Sequence, residues 1–361
     1  MTIFEEHRRK AQIAMAEKGV SALQVTSREN YYYLTGDVRN VARLLLPQRG
    51  EPTIIVFDEE VEAASEATGI SDIRGWRTPA QLMTHFFTLV KQHELMDKKV
   101  GFCTHSNPGF LVYRFLHSNP KMTVIENEEI LMPQRYVKNA QELSAMRRAA
   151  EAADKGLDAA VEAVKAGATE IDVAAEAEYA MRKAGAMRYA NATFVDSGPH
   201  SIWLHGGTSR RKIENGDLVV IDVHPIVDMY ASDCARTLVC GQISAEQQRI
   251  IKVYRGVQGE VMRQVRPGWK VMQITQTFND AFAAAGFGTQ WISGPVHGVG
   301  LEFEEWPHPS HYSGHGQIEI GENWTLAFGH SILPVKGVGG VKFEDTVQVT
   351  AEGAKSLNRA I

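Results

Sequence analysis

Residues 217–240, reading DLVVIDVHPIVDMYASDCARTLVC, constrain the chain more than any other stretch. Two apolar, β-branched runs flank a short turn, the signature of a β-hairpin. A turn centred on Val227-Asp228 sets Asp222 directly across from Asp233, where cross-strand side chains come closest. Like charges placed there destabilise a hairpin. A divalent cation between them reverses the sign of the interaction. His224 lies two residues from Asp222 and so points to the same face. The hairpin predicts a metal site; the alternative is a pair of carboxylates solvated on an exposed face.

Length and charge narrow the setting. A chain of 361 residues is long enough for two domains and a sizeable core. A net charge of −5 argues against a general binder of nucleic acid or anionic membrane. No apolar stretch approaches the length of a membrane span. The N-terminus lacks an apolar segment of signal-peptide type, so a cytoplasmic location is the expectation. Cys103, Cys234 and Cys240 form an odd, sparse set without C-x-x-C spacing, which predicts reduced thiols. Cys234 follows Asp233 and should face the opposite side of the sheet, in the core.

Along the chain, residues 1–132 alternate helical and strand patterns, as in a compact α/β domain. Residues 5–19 have helical periodicity and end at Gly19. Strands are expected near residues 22–25, 42–46, 52–57, 100–103 and 122–126, with a turn at 26–30, a helix over 79–97 and another between the last two strands. Residues 132–138 carry a proline and several charges and mark the candidate boundary. Residues 133–361 then begin with two alanine-rich helices, over 139–166 and 169–185. A strand over 189–197, the hairpin, and helices over 244–265 and 271–285 follow. Short strands and loops rich in Gly, His and Pro complete an α+β pattern.

Four clusters could carry chemistry: Asp222 and Asp233 with His224; His297 within GPVHGVGL; His330 after Phe328-Gly329; and Glu344 in the strand GGVKFEDTV. Carboxylates with imidazoles suit first-row divalent metals, and bridging carboxylates suit a pair of them.

The order of these segments resembles the pita-bread metallopeptidase family, which includes methionine aminopeptidase, aminopeptidase P, Xaa-Pro dipeptidase and creatinase. The resemblance covers nearly the whole chain. Residues 30–36 look like the creatinase/prolidase N-terminal domain, and Arg135-Tyr136-Val137-Lys138, with Glu142 and Arg147, like the linker entering the catalytic domain. Ser197-Gly198-Pro199-His200 leading to His205-Gly206 is similar to SGPN…HG, His297-Gly298-Val299-Gly300-Leu301 to HGIGL, and residues 340–347 to GGVRIEDTV. The resemblance implies an α/β domain over 1–132 and a pita-bread catalytic domain over 133–361. It implies Asp222, Asp233, His297 and Glu344 as ligands of one or two divalent ions (Mn, Fe, Co or Zn), with His205 orienting substrate or moving protons. It also implies a homodimer acting on a dipeptide or another small molecule.

Three positions depart from the pattern. Fourteen residues ahead of Glu344, where the family carries a glutamate ligand, stands His330, a neutral donor that cannot chelate through two oxygens. His224, in place of a small residue, is either a further nitrogen ligand or a turn histidine beside Pro225. Glu304 replaces a second catalytic histidine, and could act as a general base or bind a cationic substrate. Trp203, Trp306 and His308 adjoin these motifs and could line the substrate pocket or simply pack. The leading expectation is a metal-dependent hydrolase cleaving a C–N bond in a small substrate, as Xaa-Pro dipeptidase does. The alternatives are a non-peptide hydrolase of the creatinase or ectoine-hydrolase kind, a lyase of the dimethylsulfoniopropionate-cleaving kind with Glu304 as base, and a non-catalytic binding module.

Overall fold

The computed structural model describes residues 2–103, 113 and 116–359. They form two compact units, Met1–Arg135 and Tyr136–Ile361.

In the first unit, strands β1 (Ala22–Val25), β2 (Arg43–Pro47), β3 (Thr53–Phe57), β4 (Asp72–Trp76), β5 (Lys99–Phe102) and β6 (Thr123–Glu126) form one mixed sheet in the order β4-β3-β2-β1-β5-β6. Helices α1 (Ile3–Lys18), α2 (Arg28–Thr35), α3 (Val61–Thr68), α4 (Pro79–Gln92) and α5 (Glu128–Arg135) accompany it. The start of α1 is fixed by a capping box between Thr2 and Glu5. Its end is set by Gly19, which is left-handed at φ 65°. Two expectations change here. The turn at 26–30 instead opens α2, because the Ser27 side chain caps the Asn30 amide. The boundary segment is partly helical, with α5 running through Pro133 to Arg135. The helix expected between residues 103 and 122 falls mostly on residues 104–115, outside the described residues apart from Tyr113.

The second unit repeats one arrangement, a helix pair over an antiparallel sheet. In its first half, α6 (Ala140–Ala163) and α7 (Glu170–Lys183) precede β7 (Arg188–Tyr189), β8 (Phe194–Ser197), β9 (Leu218–Val223), β10 (Pro225–Val227), β11 (Tyr230–Ala231) and β12 (Cys234–Val239). The sheets run β12-β9-β8 and β11-β10-β7. Ala153, Leu157, Ala160, Val173 and Ala177 pack with Val195, Ile221, Val223 and Cys234, so the small alanines bring the helices close. In the second half, α8 (Ala245–Gln264) and α9 (Val271–Ala284) precede β13 (Val296–Gly298), β14 (Thr325–Phe328), β15 (Leu333–Val335), β16 (Gly339–Val341), β17 (Asp345–Thr350) and β18 (Gly353–Ser356). The sheets are β13-β14-β17-β18 and the pair β15-β16. Tyr254, Phe278 and Phe282 pack there against Val296, Phe328 and Val347. This is the pita-bread architecture, an α/β unit followed by an α+β unit of small antiparallel sheets.

The hairpin register differs from expectation. Asp222 pairs with Ala235 rather than Asp233, and Val223 with Cys234. The turn residues are Asp228 and Met229, both with positive φ (47° and 71°), one residue beyond a turn centred on Val227-Asp228, which shifts each cross-strand partner by two. Asp-Met carries no glycine or asparagine to announce such a turn. The ladder is also interrupted at Pro225, which has no amide hydrogen to offer. Asp233 is thus a diagonal neighbour of Asp222 on the same face, so the two carboxylates still converge.

Candidate metal centre

The centre forms where the two halves of the second unit meet. Asp222 is the penultimate residue of β9 and Asp233 precedes β12; His297 is on β13, His330 follows β14, and Glu344 precedes β17. All five are buried. Donor atoms of Asp233, His297, His330 and Glu344 lie within 4.8 Å of one another, as do those of Asp222, His224 and Asp233.

Backbone packing sets this convergence. Ala235 and Glu344 exchange hydrogen bonds of 3.1 and 3.0 Å between their amides and carbonyls, tying the hairpin to the glutamate. Thr346 Oγ1 accepts from the Asp233 amide at 2.9 Å. The Arg236 guanidinium, buried beneath, donates to the Glu344 carbonyl at 2.7 Å and to Asp345 at 2.6 Å. The Tyr254 hydroxyl on α8 lies 2.8 Å from the carbonyl oxygens of both Gly329 and Ser331, which share its one proton, and so grips the backbone on either side of His330. Two glycines are sterically required. A Cβ on Gly329 (φ 101°) would stand 2.0 Å from the Phe343 carbonyl oxygen, and one on Gly298 would stand 2.2 Å from that of Trp306.

The donor set fits a cation. His297 Nδ1 bonds to the Gly298 carbonyl at 2.9 Å, which places the proton on Nδ1 and leaves the Nε2 lone pair free. That Nε2 faces Asp233 at 3.5 Å and Glu344 at 3.7 Å. Neither His297 Nε2 nor either Asp233 oxygen has a hydrogen-bond partner, though all are buried. Acceptors converging without donors are costly unless a cation sits among them. Burial and the charge of Glu344 push the Asp233 carboxyl well above its ordinary range. Glu344 itself is pulled down to about 2: burial opposes this, and Lys342 and His330 more than offset it. Burial, helped by His297 and Lys342 against the opposing pull of Glu344, pushes His330 down to about 4, leaving it neutral near pH 7 with a nitrogen able to bind metal. These side chains are consistent with one or two divalent ions.

The other expected residues are placed as follows. His224 Nε2 lies 3.2 Å from Asp222 and 3.6 Å from Asp233, with Phe194 and Phe303 edge-on to its ring. The two aspartates raise it to about 9 against the effect of burial, so it stands as a charged partner of the carboxylates. His205 is exposed and approaches His330 Nε2 to Nε2 at 3.3 Å. Burial of part of its ring and the Lys342 charge lower its pKa. Glu304 Oε1 lies 3.7 Å from His330, and its Oε2 lies 3.7 Å from His308. Burial alone would raise Glu304, yet His308, His297 and His330 hold it down at about 2. His308 stacks between His297 and His311, at ring separations of 5.3 and 3.8 Å. Trp203 stacks on His200 at 4.0 Å and is 43% exposed, whereas Trp306 packs on Tyr312 and His315.

Sequence reasoning gave no site role to five residues here. Lys342 is fully buried, with Nζ 2.6 Å from Asp222 and 2.9 Å from Glu344. Against the cost of burial, those carboxylates and Asp233 raise its pKa well above normal. Its position two residues before Glu344, on the same strand face, was the available signal. Glu170 at the start of α7 accepts from the amides and hydroxyls of both Ser197 and Ser209 at 2.6–3.0 Å, bracketing the loop that carries His205. Asp196 is buried under the same loop, where a Cβ on Gly206 would collide with it. Lys138 and Glu305 form a buried pair at 2.7 Å. No periodicity or motif marks Glu170 or Asp196 as part of a site.

Comparison with known proteins agrees with this geometry. Metallopeptidase family M24 matches residues 144–351, and the creatinase/prolidase N-terminal domain matches residues 7–137. The chain belongs to the M24 metallopeptidase family, and its Asp/His/Glu cluster makes it a metallohydrolase. It is 29% identical to an Xaa-Pro dipeptidase of Pyrococcus horikoshii, over 99% of this chain and 98% of that one. Among solved structures, it superposes on the prolidase from Pyrococcus horikoshii OT3 with a TM-score of 0.87 at 27% identity, covering 99% of both chains. The prolidase from Pyrococcus furiosus gives 0.83 at 27% identity, covering 97% of this chain and 99% of that one.

Proposed function

We propose that the protein hydrolyses the C–N bond of a small substrate of the Xaa-Pro dipeptide class. One observation carries the reading: His297 Nε2 and both Asp233 oxygens converge, buried and without hydrogen-bond partners, in a chain whose full length is similar to Xaa-Pro dipeptidases. When bound, a divalent ion polarises a carbonyl group and makes water nucleophilic near neutral pH.

The chain's own residues supply the rest. Asp222, Asp233, His297, His330 and Glu344 surround the site that would take the metal. The lowered pKa of His205 keeps Nε2 able to accept a proton and return it to the departing amine. Glu304, held as a carboxylate, is a weak base and a good partner for the ammonium end of a dipeptide. That charge state favours the peptidase reading over a lyase that needs Glu304 to abstract a carbon-bound proton.

The test is proline release from Xaa-Pro dipeptides by protein reconstituted with Mn2+, Co2+ or Zn2+. Turnover that stops with a chelator and returns with metal is the expected result. Metal-loaded protein that releases no proline, yet hydrolyses a small amidine or cyclic amide, would move the assignment to the creatinase-like readings.

A further inference from the structure

We propose that the centre takes a single divalent ion, and that the Lys342 ammonium occupies the place of a second cation beside Asp222. The inference rests on the metallohydrolase reading and specifies its stoichiometry.

The geometry separates the centre into two sides. On one side, Asp233, His297, His330 and Glu344 converge with their donor atoms within 4.8 Å. His297 Nε2 and the Asp233 oxygens there have no donor to satisfy them. Acceptors converging in this way call for a cation. The other side is built on Asp222 and already has two nitrogen groups. Lys342 Nζ spans Asp222 Oδ2 at 2.6 Å and Glu344 Oε2 at 2.9 Å, bridging two carboxylates as a metal ion would. His224 Nε2 faces the remaining oxygen, Asp222 Oδ1, at 3.2 Å. Both Asp222 oxygens therefore have a nitrogen close by, although Asp222 Oδ1 and Glu344 Oε2 meet theirs as ion pairs without hydrogen-bond geometry. For a metal to bind there, the Lys342 contact would have to break, leaving an ammonium buried without its carboxylates, which is strongly unfavourable.

The ligand set is also poorer in carboxylates than the pattern it resembles, since His330 brings a neutral donor where a glutamate would bring another carboxylate. Lys342 also stands where the similar segment GGVRIEDTV carries arginine. Arginine spreads its charge over a planar fork, whereas lysine presents a compact point charge that fits between two carboxylates.

Titration of metal-free protein with Mn2+, followed by elemental analysis after desalting, reads the stoichiometry directly. Electron paramagnetic resonance of the same samples distinguishes an isolated ion from an exchange-coupled pair. The expected result for the wild type is one tightly held equivalent with the spectrum of an isolated ion. Lys342→Met, which keeps the stem and removes the charge, should bind two equivalents and show coupling. Two coupled ions in the wild type would overturn the inference and leave the metallohydrolase reading intact. One equivalent in a folded Lys342→Met would also overturn it, because the ammonium would not then be what excludes the second ion. If Lys342→Met does not fold, the wild-type count and spectrum decide alone. No bound metal at all would remove the metallohydrolase reading and this inference together.

Discussion

Asp196 shows how a single buried residue can report on the ground beneath the active-site loop. Burial, with the charges of Glu170 and Asp222, pushes its carboxyl up to about 7, far above the ordinary value near 3.9. The folded state therefore holds this proton over a range in which the unfolded chain releases it. Stability from Asp196 is fully present below about pH 4 and is lost as pH rises to about 7, by up to about 4 kcal/mol. Asp196→Asn should remove that slope and make the protein more stable than wild type above pH 7. Urea unfolding across pH 4–8 measures it, and parallel curves for the two proteins would refute the assignment. Glu170 nearby behaves oppositely. Burial would raise it, but hydrogen bonds from Ser209 and Ser197 pull it down, so its contribution is lost only as pH falls through the acid range. At this scale the metal-facing residue types were legible in the sequence, because carboxylates and imidazoles in apolar or glycine-rich segments are conspicuous. Asp196, Glu170 and Lys342 were not. Their surroundings are assembled from loops and strands distant in sequence.

At the scale of elements, the expected strands and helices mostly formed because their signals are local: the capping box at Thr2, the left-handed Gly19 and the alanine-rich faces of α6 and α7. The hairpin shows where local signals stop. Its strands were legible, but its register depended on positive φ at Asp228 and Met229 and on the amide that Pro225 lacks. The grip of α8 on the backbone around His330 was likewise invisible, since helical periodicity marks Tyr254 as a core residue without revealing what its hydroxyl meets. Tyr254→Phe keeps the ring among Phe282, Trp291 and Phe343 and removes the hydroxyl with its proton shared by the Gly329 and Ser331 carbonyls. The buried carbonyls of Gly329 and Ser331 lose this donor, which costs about 1–3 kcal/mol. Metal affinity should fall along with stability, because His330 sits between those carbonyls. Calorimetric titration with Mn2+ checks this; a destabilised variant with unchanged affinity would show that α8 does not position the ligand.

For the molecule as a whole, the second unit holds several buried carboxylates and imidazoles at the junction of its two halves, and no described helix is long and apolar enough to cross a membrane. An ion bound only by the folded state stabilises it by about 2.7 kcal/mol at a hundredfold excess over Kd. Exhaustive chelation should therefore lower the thermal midpoint by on the order of 5–10 °C, with recovery on adding metal back. Asp233→Asn should lose most of this metal-dependent shift in the same scan. A midpoint indifferent to chelator and metal would mean that the cluster binds no ion tightly. The central claim is that Asp233, His297, His330 and Glu344 converge because they hold a divalent ion. Anomalous diffraction at the metal absorption edge, from crystals grown with Mn2+ or Zn2+, tests it most directly. The account predicts an anomalous peak within bonding distance of His297 Nε2, Asp233 and Glu344; a peak confined to other residues, or none at saturating metal, would contradict it.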